Sequence, residues 1–311
     1  MKRYIAKRVL VAVITMLIIV LIMFLMFNLM PGSPFNDQHL KQDQIDALYR
    51  KYGLDRPVIE RYFRYLFNLL KGDFGVSYNI QKNMEITKIL ALRLPVTVRI
   101  GVQAMIIGAI LGIALGIISA INHGSVWDPV VSVFSMLGSS VPSFVFGLGL
   151  LYFLAFKLKL FPIIYSTDDP VRSTILPSIA LSIFPMANIA RYARAEVISV
   201  LGSGFADLAK AKGVSKTGIL FKHVLRNSLI PILTVMAPML VELITGSLVV
   251  ENIFSIPGLG NLFIMAVQSN DFSVSIAIMF IYSSFYIAVM LIVDILYGII
   301  DPRIRLAGDN S

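Results

Sequence analysis

Two neighbouring polar segments read Phe205-Ala-Asp-Leu-Ala-Lys-Ala-Lys-Gly213 and Val224-Leu-Arg-Asn-Ser-Leu-Ile-Pro231. Together they form a polar island between long apolar runs. The chain has 311 residues, of which 57% are hydrophobic and 14% are charged, and its mean hydropathy is +0.80. This composition is typical of a multi-spanning membrane protein. A membrane protein rarely keeps such a polar segment without a partner, so the island is the first candidate binding surface.

Six apolar runs are long enough to cross a bilayer, because a hydrocarbon core of about 30 Å needs roughly 20 apolar residues in a helix. The predicted spans are residues 9–30, 95–121, 130–156, 174–192, 232–250 and 274–300. The first run exceeds the roughly 7 to 15 apolar residues of a signal-peptide core, so we expect a retained anchor. The predicted fold class is therefore an all-α membrane protein with six transmembrane helices.

The distribution of Lys and Arg predicts the orientation. If the N-terminus is cytoplasmic, the cytoplasmic segments contain far more Lys and Arg than the short external ones, as the positive-inside rule requires. The loop 31–94 is too long for its charge to govern topology. We therefore predict a cell-membrane protein with both termini inside. Its parts are an anchor (1–30), an external loop with amphipathic helices (31–94), a core (95–302) with a cytoplasmic hairpin (203–231), and a cytoplasmic tail (303–311).

Several function classes are disfavoured by composition. Cysteine is absent, which excludes disulfides and thiolate metal sites. His39, His123 and His223 fall in different predicted loops, so no metal site is expected. The segment Gly213-Val-Ser-Lys-Thr217 lacks the glycine spacing of a phosphate-binding loop, and no catalytic set of side chains is recognisable. The net charge of +9 follows from membrane topology, and we expect neither an enzyme nor a nucleic-acid partner.

The external loop contains one clear helical pattern. Pro57 can open a helix, and Gly72 and Gly75 can end it. Between them an apolar face recurs at helical spacing: Ile59, Tyr62, Phe63, Leu66, Leu69 and Leu70. This amphipathic helix either packs on the spans, lies on the outer membrane surface, or docks an external partner.

Small residues recur every four positions in the second span, namely Ala104, Gly108, Gly112, Gly116 and Ala120. Such a face lets another helix approach closely. Prolines also interrupt the later spans and free backbone carbonyls: Pro142, Pro177, Pro185 and Pro238. These positions are either ordinary kinks or parts of a water-filled path.

Glu242 lies near the middle of the fifth span, where a lipid-facing carboxylate is costly. It either lines a translocation path together with Asn188, or hydrogen-bonds a neighbouring helix. Ser139 and Ser140 of the third span are further path candidates, with close helix packing as the alternative. Glu251 and Asp294 lie near helix ends and are expected to pin them.

The polar island predicts a helical hairpin. Residues 206–212 are good helix formers, Gly213 suits a left-handed C-cap, and Ser215 can cap a second helix that runs to Arg226. Pro231 would then return the chain to the membrane. Small and charged side chains favour docking over a merely solvated basic loop. The candidate docking residues are Ala206, Asp207, Ala209, Lys210, Lys212, Gly213, Val214 and Ser215.

At this hairpin the chain resembles the ABC importer permeases. The segment Asp207-Leu-Ala-Lys-Ala-Lys-Gly213 is similar to their EAA loop, in the longer-spaced form of the oligopeptide, dipeptide and nickel permeases. Further similar segments are Leu29-Met-Pro-Gly-Ser-Pro34, Gly53-Leu-Asp-Arg-Pro57, Leu70-Lys-Gly-Asp-Phe-Gly75, Val250-Glu-Asn-Ile-Phe-Ser-Ile-Pro-Gly-Leu-Gly260 and Val293-Asp-Ile-Leu-Tyr-Gly-Ile-Ile-Asp-Pro-Arg303.

The resemblance implies the six-helix ABC importer permease (MetI-like) fold, with a large first external loop like that of B-type peptide permease subunits. It implies a second related permease subunit, two cytoplasmic ATP-binding subunits, an extracytoplasmic peptide-binding protein and a peptide substrate. ATP and Mg would bind those ATPases, so no cofactor is expected on this chain.

Three alternatives remain open. Nickel import belongs to the same family. An ion-coupled secondary transporter would use Glu242 or Asp294 as its ion site. A sensory or scaffold membrane protein would use the hairpin to recruit a regulator.

Overall fold

The computed structural model describes residues 2–29, 35, 41–215 and 218–300. The helices are α1 (Lys2–Leu29), α2 (Gln42–Tyr52), α3 (Val58–Leu70), α4 (Ile86–Ile121), α5 (Trp127–Ser140), α6 (Ser143–Leu150), α7 (Pro170–Leu201), α8 (Gly204–Ala211), α9 (Leu225–Gly246), α10 (Leu248–Ile253), α11 (Leu259–Gln268) and α12 (Phe272–Ile300). A π-helical segment, Leu151–Lys157, continues α6, and a second, Ile219–Val224, leads into α9. The chain divides into two compact units, residues 1–96 with 257–311 and residues 97–256.

Five of these helices are long and apolar enough to be continuous spans. The predicted third span is the exception, because α5 and α6 meet at an angle of 97°. Val141 between them is extended, with φ −85° and ψ 128°. A residue that precedes proline disfavours helical geometry, so Pro142 places the break. Pro142 thus bends the predicted third span sharply, and the six predicted spans are reached when this bent pair counts as one.

Two helices, α4 and α7, begin earlier in the structure than the predicted spans that they contain. α4 begins at Ile86 and contains Pro95 within it, so the external loop ends about three helical turns earlier than predicted. α7 begins at Pro170, where the fixed backbone angle of proline suits the first helical position. Asp169 caps this helix, since its Oδ1 accepts a hydrogen bond from the Arg172 N–H at 3.2 Å.

In the unit formed by 1–96 and 257–311, α1 and α12 run antiparallel. Their far ends are joined by an ion pair between Arg8 Nη1 and Asp294 Oδ2 at 2.8 Å. At the other ends the rings of Phe27 and Phe272 lie 5.8 Å apart. The expected pinning role of Asp294 is thus confirmed. Apolar side chains around much of α1 are exposed, as lipid-facing residues should be.

The amphipathic helix predicted after Pro57 is α3. It packs on α1 through aromatic contacts, with the Tyr62 and Tyr65 rings 5.5 and 5.9 Å from the ring of Phe24. Ile59 and Phe63 of the same helix remain exposed. Packing therefore accounts for only part of the apolar face.

A buried carboxylate joins the external loop to the start of α12. Asp271 is fully buried, and its Oδ2 accepts hydrogen bonds from Ser77 Oγ at 2.5 Å and from the N–H groups of Tyr78, Asn79 and Ile80 at 3.0, 3.0 and 3.2 Å. Successive backbone N–H groups in a turn form a concave anion site. Here the anion is a side chain of the same chain, and the contact fixes the loop.

In the unit formed by 97–256, α7 is the central helix. It packs against α5, α6 and α9, and it is both the least apolar and the most buried of the five continuous spans. Lipid does not drive helices together, so close packing depends on small side chains. Ala180, Ala187, Ala190 and Ala193 provide them.

The small-residue face of α4 meets α7 directly. A side chain built at Gly112 would place its Cβ 2.7 Å from the Met186 carbonyl oxygen, and one at Gly116 would lie 2.6 Å from the Ala190 oxygen. Gly108 is similarly restricted by Pro185. The predicted close approach of another helix is confirmed.

We predict that Gly112→Ala lowers the stability of the protein, because the new methyl group would press on backbone rather than on a flexible side chain. Overpacking of this kind costs about 1–3 kcal/mol. The matched control is Gly149→Ala, because nothing lies within 4 Å of that position on α6. Thermal unfolding in detergent, followed by size-exclusion chromatography, should show a lower melting temperature only for Gly112→Ala. Equal melting temperatures would contradict the packing argument.

Candidate functional site

The first candidate site is the hairpin, residues 203–231. Gly213 adopts φ +77° and ends α8, with its N–H donating to the Lys210 carbonyl oxygen at 2.9 Å. Ser215 starts the next helical segment, since its Oγ accepts from the Gly218 N–H at 3.2 Å. Both capping predictions are confirmed. Lys216 and Thr217, which lie between the two halves, are outside the described residues.

The second half of the hairpin differs from the prediction. The π-helical segment Ile219–Val224 runs directly into α9, and α9 continues past Arg226 with Pro231 inside it. Membrane helices tolerate internal proline because neighbouring groups can satisfy the freed carbonyl. The predicted helix end at Arg226 is therefore wrong, and Pro231 lies within α9. One helical path connects the hairpin to the fifth span.

The inner side of the hairpin is packed against the ends of the bundle. Ala209, Ile219 and Val224 are buried with Ala120 of α4 and Val197 of α7. Val214 lies partly buried on the same cluster. Ala209 was predicted as a small docking residue that leaves space for a partner. In the structure, side chains of this chain, among them Ala120 and Val197, fill the space around it. Its side chain anchors the hairpin and does not reach the exposed surface.

The outer side of the hairpin is exposed and charged. Asp207, Lys210, Lys212, Gly213 and Ser215 are exposed. Asp207 and Lys210 form an ion pair at 2.9 Å. Leu208 is also exposed, at 55%, and sequence reasoning missed it because a single leucine carries no periodic signal. Ala206 lies in α8, but its side chain is outside the described residues. A docking role for this surface stays a prediction.

The second candidate site is a cleft at the break between α5 and α6. Its volume is about 240 Å³, and its lining brings together Ser139, Ser140 and Glu242. Pro142, Phe184, Pro185 and Met239 are among the other lining residues. The Glu242 side chain is exposed, and among the described residues its carboxylate has no ion pair or hydrogen bond. An unpaired carboxylate at this depth should face water or a ligand.

The serine hydroxyls have a structural role at this break. Ser139 Oγ and Ser140 Oγ donate to the Met136 carbonyl oxygen at 3.0 and 2.8 Å. Irregular backbone at membrane depth is tolerated where it is buried in protein or lines a water-filled cavity. The combination of a broken helix, hydroxyl groups and an unpaired carboxylate fits a polar path.

Asn188 is not brought to this cleft. Its Nδ2 donates to the Phe184 carbonyl oxygen at 2.9 Å, and its Oδ1 accepts from Arg191 Nη2 at 2.6 Å. These contacts occupy the amide within α7. Asn188 is therefore not among the residues that line this cleft, and its place in a translocation path stays a prediction.

An ion-pair cluster lies close to the hairpin and was not predicted. Asp128, at the start of α5, accepts from Arg194 Nε at 2.6 Å and Nη2 at 2.8 Å. Ser119 Oγ and His123 Nδ1 lie 2.6 and 2.8 Å from the same carboxylate. Arg194 lies 66 residues from Asp128 in the sequence, so no local spacing indicated this ion pair. The cluster ties the α4–α5 turn to α7, one turn before the hairpin core begins at Val197.

Glu251 has a comparable structural role. It is fully buried, and its Oε1 accepts from Thr97 Oγ1 at 2.8 Å and from Ser247 Oγ at 2.7 Å. These contacts join the start of α10 to α4. The prediction that Glu251 pins a helix end is confirmed.

Comparison with known proteins places the chain in a family. Residues 112–306 match the family described as binding-protein-dependent transport system inner membrane component. Residues 1–101 match the N-terminal family of the same membrane components. Together the two matches cover nearly the whole chain.

Individual relatives are similar along their full length. The chain is 43% identical over 306 residues to the dipeptide transport system permease protein of Lactococcus lactis, covering 98% of this chain and 100% of that protein. It is 39% identical to the oligopeptide transport system permease protein of Haemophilus influenzae, with the same coverage. It is 36% identical to the dipeptide permease protein of Bacillus subtilis, covering 98% of this chain and 99% of that one.

A solved structure shares the fold. The inward-facing methionine ABC transporter matches with a TM-score of 0.58 over 68% of this chain and 96% of that chain. The sequence identity is 14%, so this likeness concerns the fold alone.

We predict that Arg194→Gln destabilises the protein more than Arg191→Gln. The first change leaves the nearly buried carboxylate of Asp128 without its bidentate partner, at a cost of the order of 1–3 kcal/mol. Arg191 is a fair control, because it lies one turn earlier on α7 and contacts only a neutral amide. Melting temperatures should also recover in part in the double variant Arg194→Gln with Asp128→Asn. Equal losses in the two single variants would contradict this role.

We predict that the cleft at Ser140 is wet. Since the chain contains no cysteine, a single Ser140→Cys substitution gives a unique thiol. A membrane-impermeant thiol reagent should label it at least about ten times faster than Ser182→Cys, because thiol reactivity requires access of water and reagent. Ser182 is buried within α7. Equal rates in proteoliposomes would show that the cleft is closed to water.

Proposed function

The chain belongs to the family of binding-protein-dependent transport system inner membrane components, and on that premise we propose that it forms half of the peptide path of an ATP-driven importer. The observation that carries the proposal is the hairpin, which is anchored on its inner side and charged on its outer side. The names of the relatives support peptides as the substrate, because they are dipeptide and oligopeptide permease proteins.

The proposed partners follow from the family to which the chain belongs. A second, related permease subunit completes the path, and two cytoplasmic ATP-binding subunits supply ATP and Mg. An extracytoplasmic binding protein delivers the peptide. With this orientation both termini and the hairpin lie in the cytoplasm, and loop 31–94 lies outside.

The hairpin is built to transmit movement into the membrane. It follows α7 directly through Gly202 and Ser203, and it continues into α9 without a helix break. Glu242 and the other α9 residues of the cleft lie on this same helix. A displacement of α8 by an ATPase would therefore tilt one wall of the cleft. Ala209 of α8 is buried against Ala120 of α4 and Val197 of α7, and this packing would keep the displacement from being absorbed locally.

We propose alternating access as the mechanism, because the family resemblance implies it and this geometry would permit it. ATP-driven closure of the ATPase pair moves the hairpin, α7 and α9 rotate, and the path opens outward to receive the peptide. Hydrolysis returns it inward. ATP and the loaded binding protein must each favour one of the two conformations, inward-open or outward-open. A ligand that binds both conformations with equal affinity would not shift the equilibrium between them.

The carboxylate of Glu242 would attract a positively charged group of the substrate in the path. An unpaired carboxylate in a partly apolar cleft attracts a positive charge more strongly than it would in bulk water. A peptide offers its amino terminus, and a nickel ion would also satisfy the charge. The peptide is preferred because the relatives carry that name.

The other function classes predict different behaviour. An ion-coupled transporter would take up substrate without ATP, and one of its two candidate ion sites, Asp294, is engaged by Arg8. A sensory or scaffold protein would recruit a partner without moving any substrate across the membrane. Proteoliposomes that contain the complete complex should take up a labelled oligopeptide only with binding protein and ATP. Peptide uptake without ATP would overturn the proposal. A complete absence of peptide uptake by a complex in which the ATPase subunits are bound would also overturn it.

We predict that Gly213→Val uncouples transport. Valine resists the left-handed conformation at φ +77°, and strain of about 1–2 kcal/mol shifts the hairpin equilibrium roughly tenfold. Peptide uptake should fall about tenfold while the ATPase subunits remain bound and hydrolyse ATP.

The control is Gly124→Val. Gly124 has φ +82°, nothing lies within 4 Å of its built Cβ, and it is in the α4–α5 turn outside the hairpin. It imposes the same strain without touching the proposed docking surface. Normal uptake with normal assembly in Gly213→Val, or equal loss in both variants, would contradict a coupling role.

A further inference from the structure

A second, larger cleft lies in the unit formed by 1–96 and 257–311. Its volume is about 460 Å³, which is enough for a small ligand or a lipid headgroup. It is formed by the ends of α1 and α12 together with α2, α3 and the loop that follows α3. This cleft shares no lining residue with the cleft at Glu242.

The cleft sits where two spans end. Phe24 and Phe27 belong to the last turns of α1, and Phe272 and Ser273 belong to the first turn of α12. Since these helices run antiparallel, both meet the membrane surface at the same side. Tyr49, Tyr52, Tyr65 and Tyr78 also line the cleft, and tyrosine is enriched at the depth of lipid headgroups.

The charges in the cleft are mostly positive. Lys51, Arg61 and Arg64 line it, and Asp73 is the carboxylate among the lining residues. Arg64 lies 3.6 Å from Glu60, and Asp73 Oδ1 accepts from the Gly75 N–H at 2.8 Å. Lys51 Nζ donates to Asn83 Oδ1 at 3.1 Å. These contacts leave the positive charge in excess.

Arg61 is the distinctive residue. Its side chain is half-buried, and among the described residues it has no ion pair and no side-chain hydrogen bond. Burial lowers the pKa of Arg61 from its ordinary value, and Tyr78 and Tyr49 act in the opposite sense. A guanidinium stays protonated in proteins, so a partly desolvated cation lines the cleft with no counter-ion among the described residues. Such a group is costly unless an anion pairs with it.

Residues with hydroxyl donors line the same cleft as Arg61. The Tyr65 hydroxyl is buried, and no hydrogen-bond partner is found for it in the described part of the chain. Burial raises the pKa of Tyr65, so the hydroxyl keeps its proton and can donate. Burial also raises the pKa of Tyr78, while its hydrogen bond with Ser273 lowers it. A charged guanidinium with an unused O–H donor matches a phosphate oxygen pair.

We propose that this cleft binds a phosphate group, with Arg61 as its counter-ion and the Tyr65 hydroxyl as a hydrogen-bond donor. Two sources share this chemistry, the headgroup of an outer-leaflet phospholipid and free phosphate. The position at the ends of two spans favours the lipid, whose phosphate lies at this depth. Bound there, a phospholipid would fasten α3 and its exposed apolar residues to the membrane surface.

The test uses the full-length chain in lipid nanodiscs with a photoactivatable phosphatidylglycerol probe. Labelling of the peptides that carry residues 61–78 is measured by mass spectrometry. Arg61→Gln removes the charge with little change of size, and Arg61→Lys retains it. The matched control is Arg56→Gln, because Arg56 is paired with Glu60 and does not line the cleft. A neutral diacylglycerol probe reports contacts that need no phosphate.

We expect Arg61→Gln to reduce phospholipid labelling about fivefold or more, and Arg61→Lys and Arg56→Gln to leave it within about twofold, as the loss of one charge-assisted hydrogen bond predicts. Binding of radiolabelled orthophosphate in detergent is measured in parallel. If Arg61→Gln loses orthophosphate binding but keeps its lipid labelling, the cleft binds phosphate as proposed, and the ligand is free phosphate and not a phospholipid headgroup. Unchanged values for both probes, or equal loss in Arg56→Gln, would overturn the proposal, and size-exclusion profiles confirm that each variant is folded.

Discussion

Backbone hydrogen bonding without water is the constraint on which this structure depends. Inside a bilayer an unpaired N–H or C=O costs several kcal/mol, so each departure from helix needs a local substitute. At the α5–α6 break, Ser139 and Ser140 donate to the Met136 oxygen. Outside the spans, Asp271 at the start of α12 similarly accepts three consecutive N–H groups of the loop that follows α3. The non-helical positions are thus the places where side chains had to be polar.

Those polar side chains divide into two classes by their partners. Asp271, Glu251 and Asp128 are nearly or fully buried and accept several hydrogen bonds each. Losing a partner would leave a desolvated charge, which makes them structural. Glu242 and Arg61 have no such partners in the described part of the chain. Charges left unpaired are the ones available to a ligand, and each lies in a cleft.

The hairpin depends on both packing and continuity. Its inner side is fixed by Ala209 against α4 and α7, and its outer side stays exposed. Because Ile219–Val224 passes into α9 without a break, the cleft wall and the docking surface belong to one helical path. Transmission of movement requires both the packed inner side and the continuous helix, because a loosely attached hairpin would move without moving the fifth span.

Much of this protein follows from the sequence alone. Apolar runs of bilayer length placed the spans, the small-residue face of α4 indicated a close helix contact, and Gly213 and Ser215 marked the hairpin turn, because each is a local signal that repeats or caps. Tertiary structure alone decided the rest. It placed Asp128 against Arg194, turned Ala209 inward, left Asn188 out of the lining of the cleft at Glu242 and bent the third span at Val141. Those outcomes depend on which distant side chains become neighbours in space, and no local pattern records that.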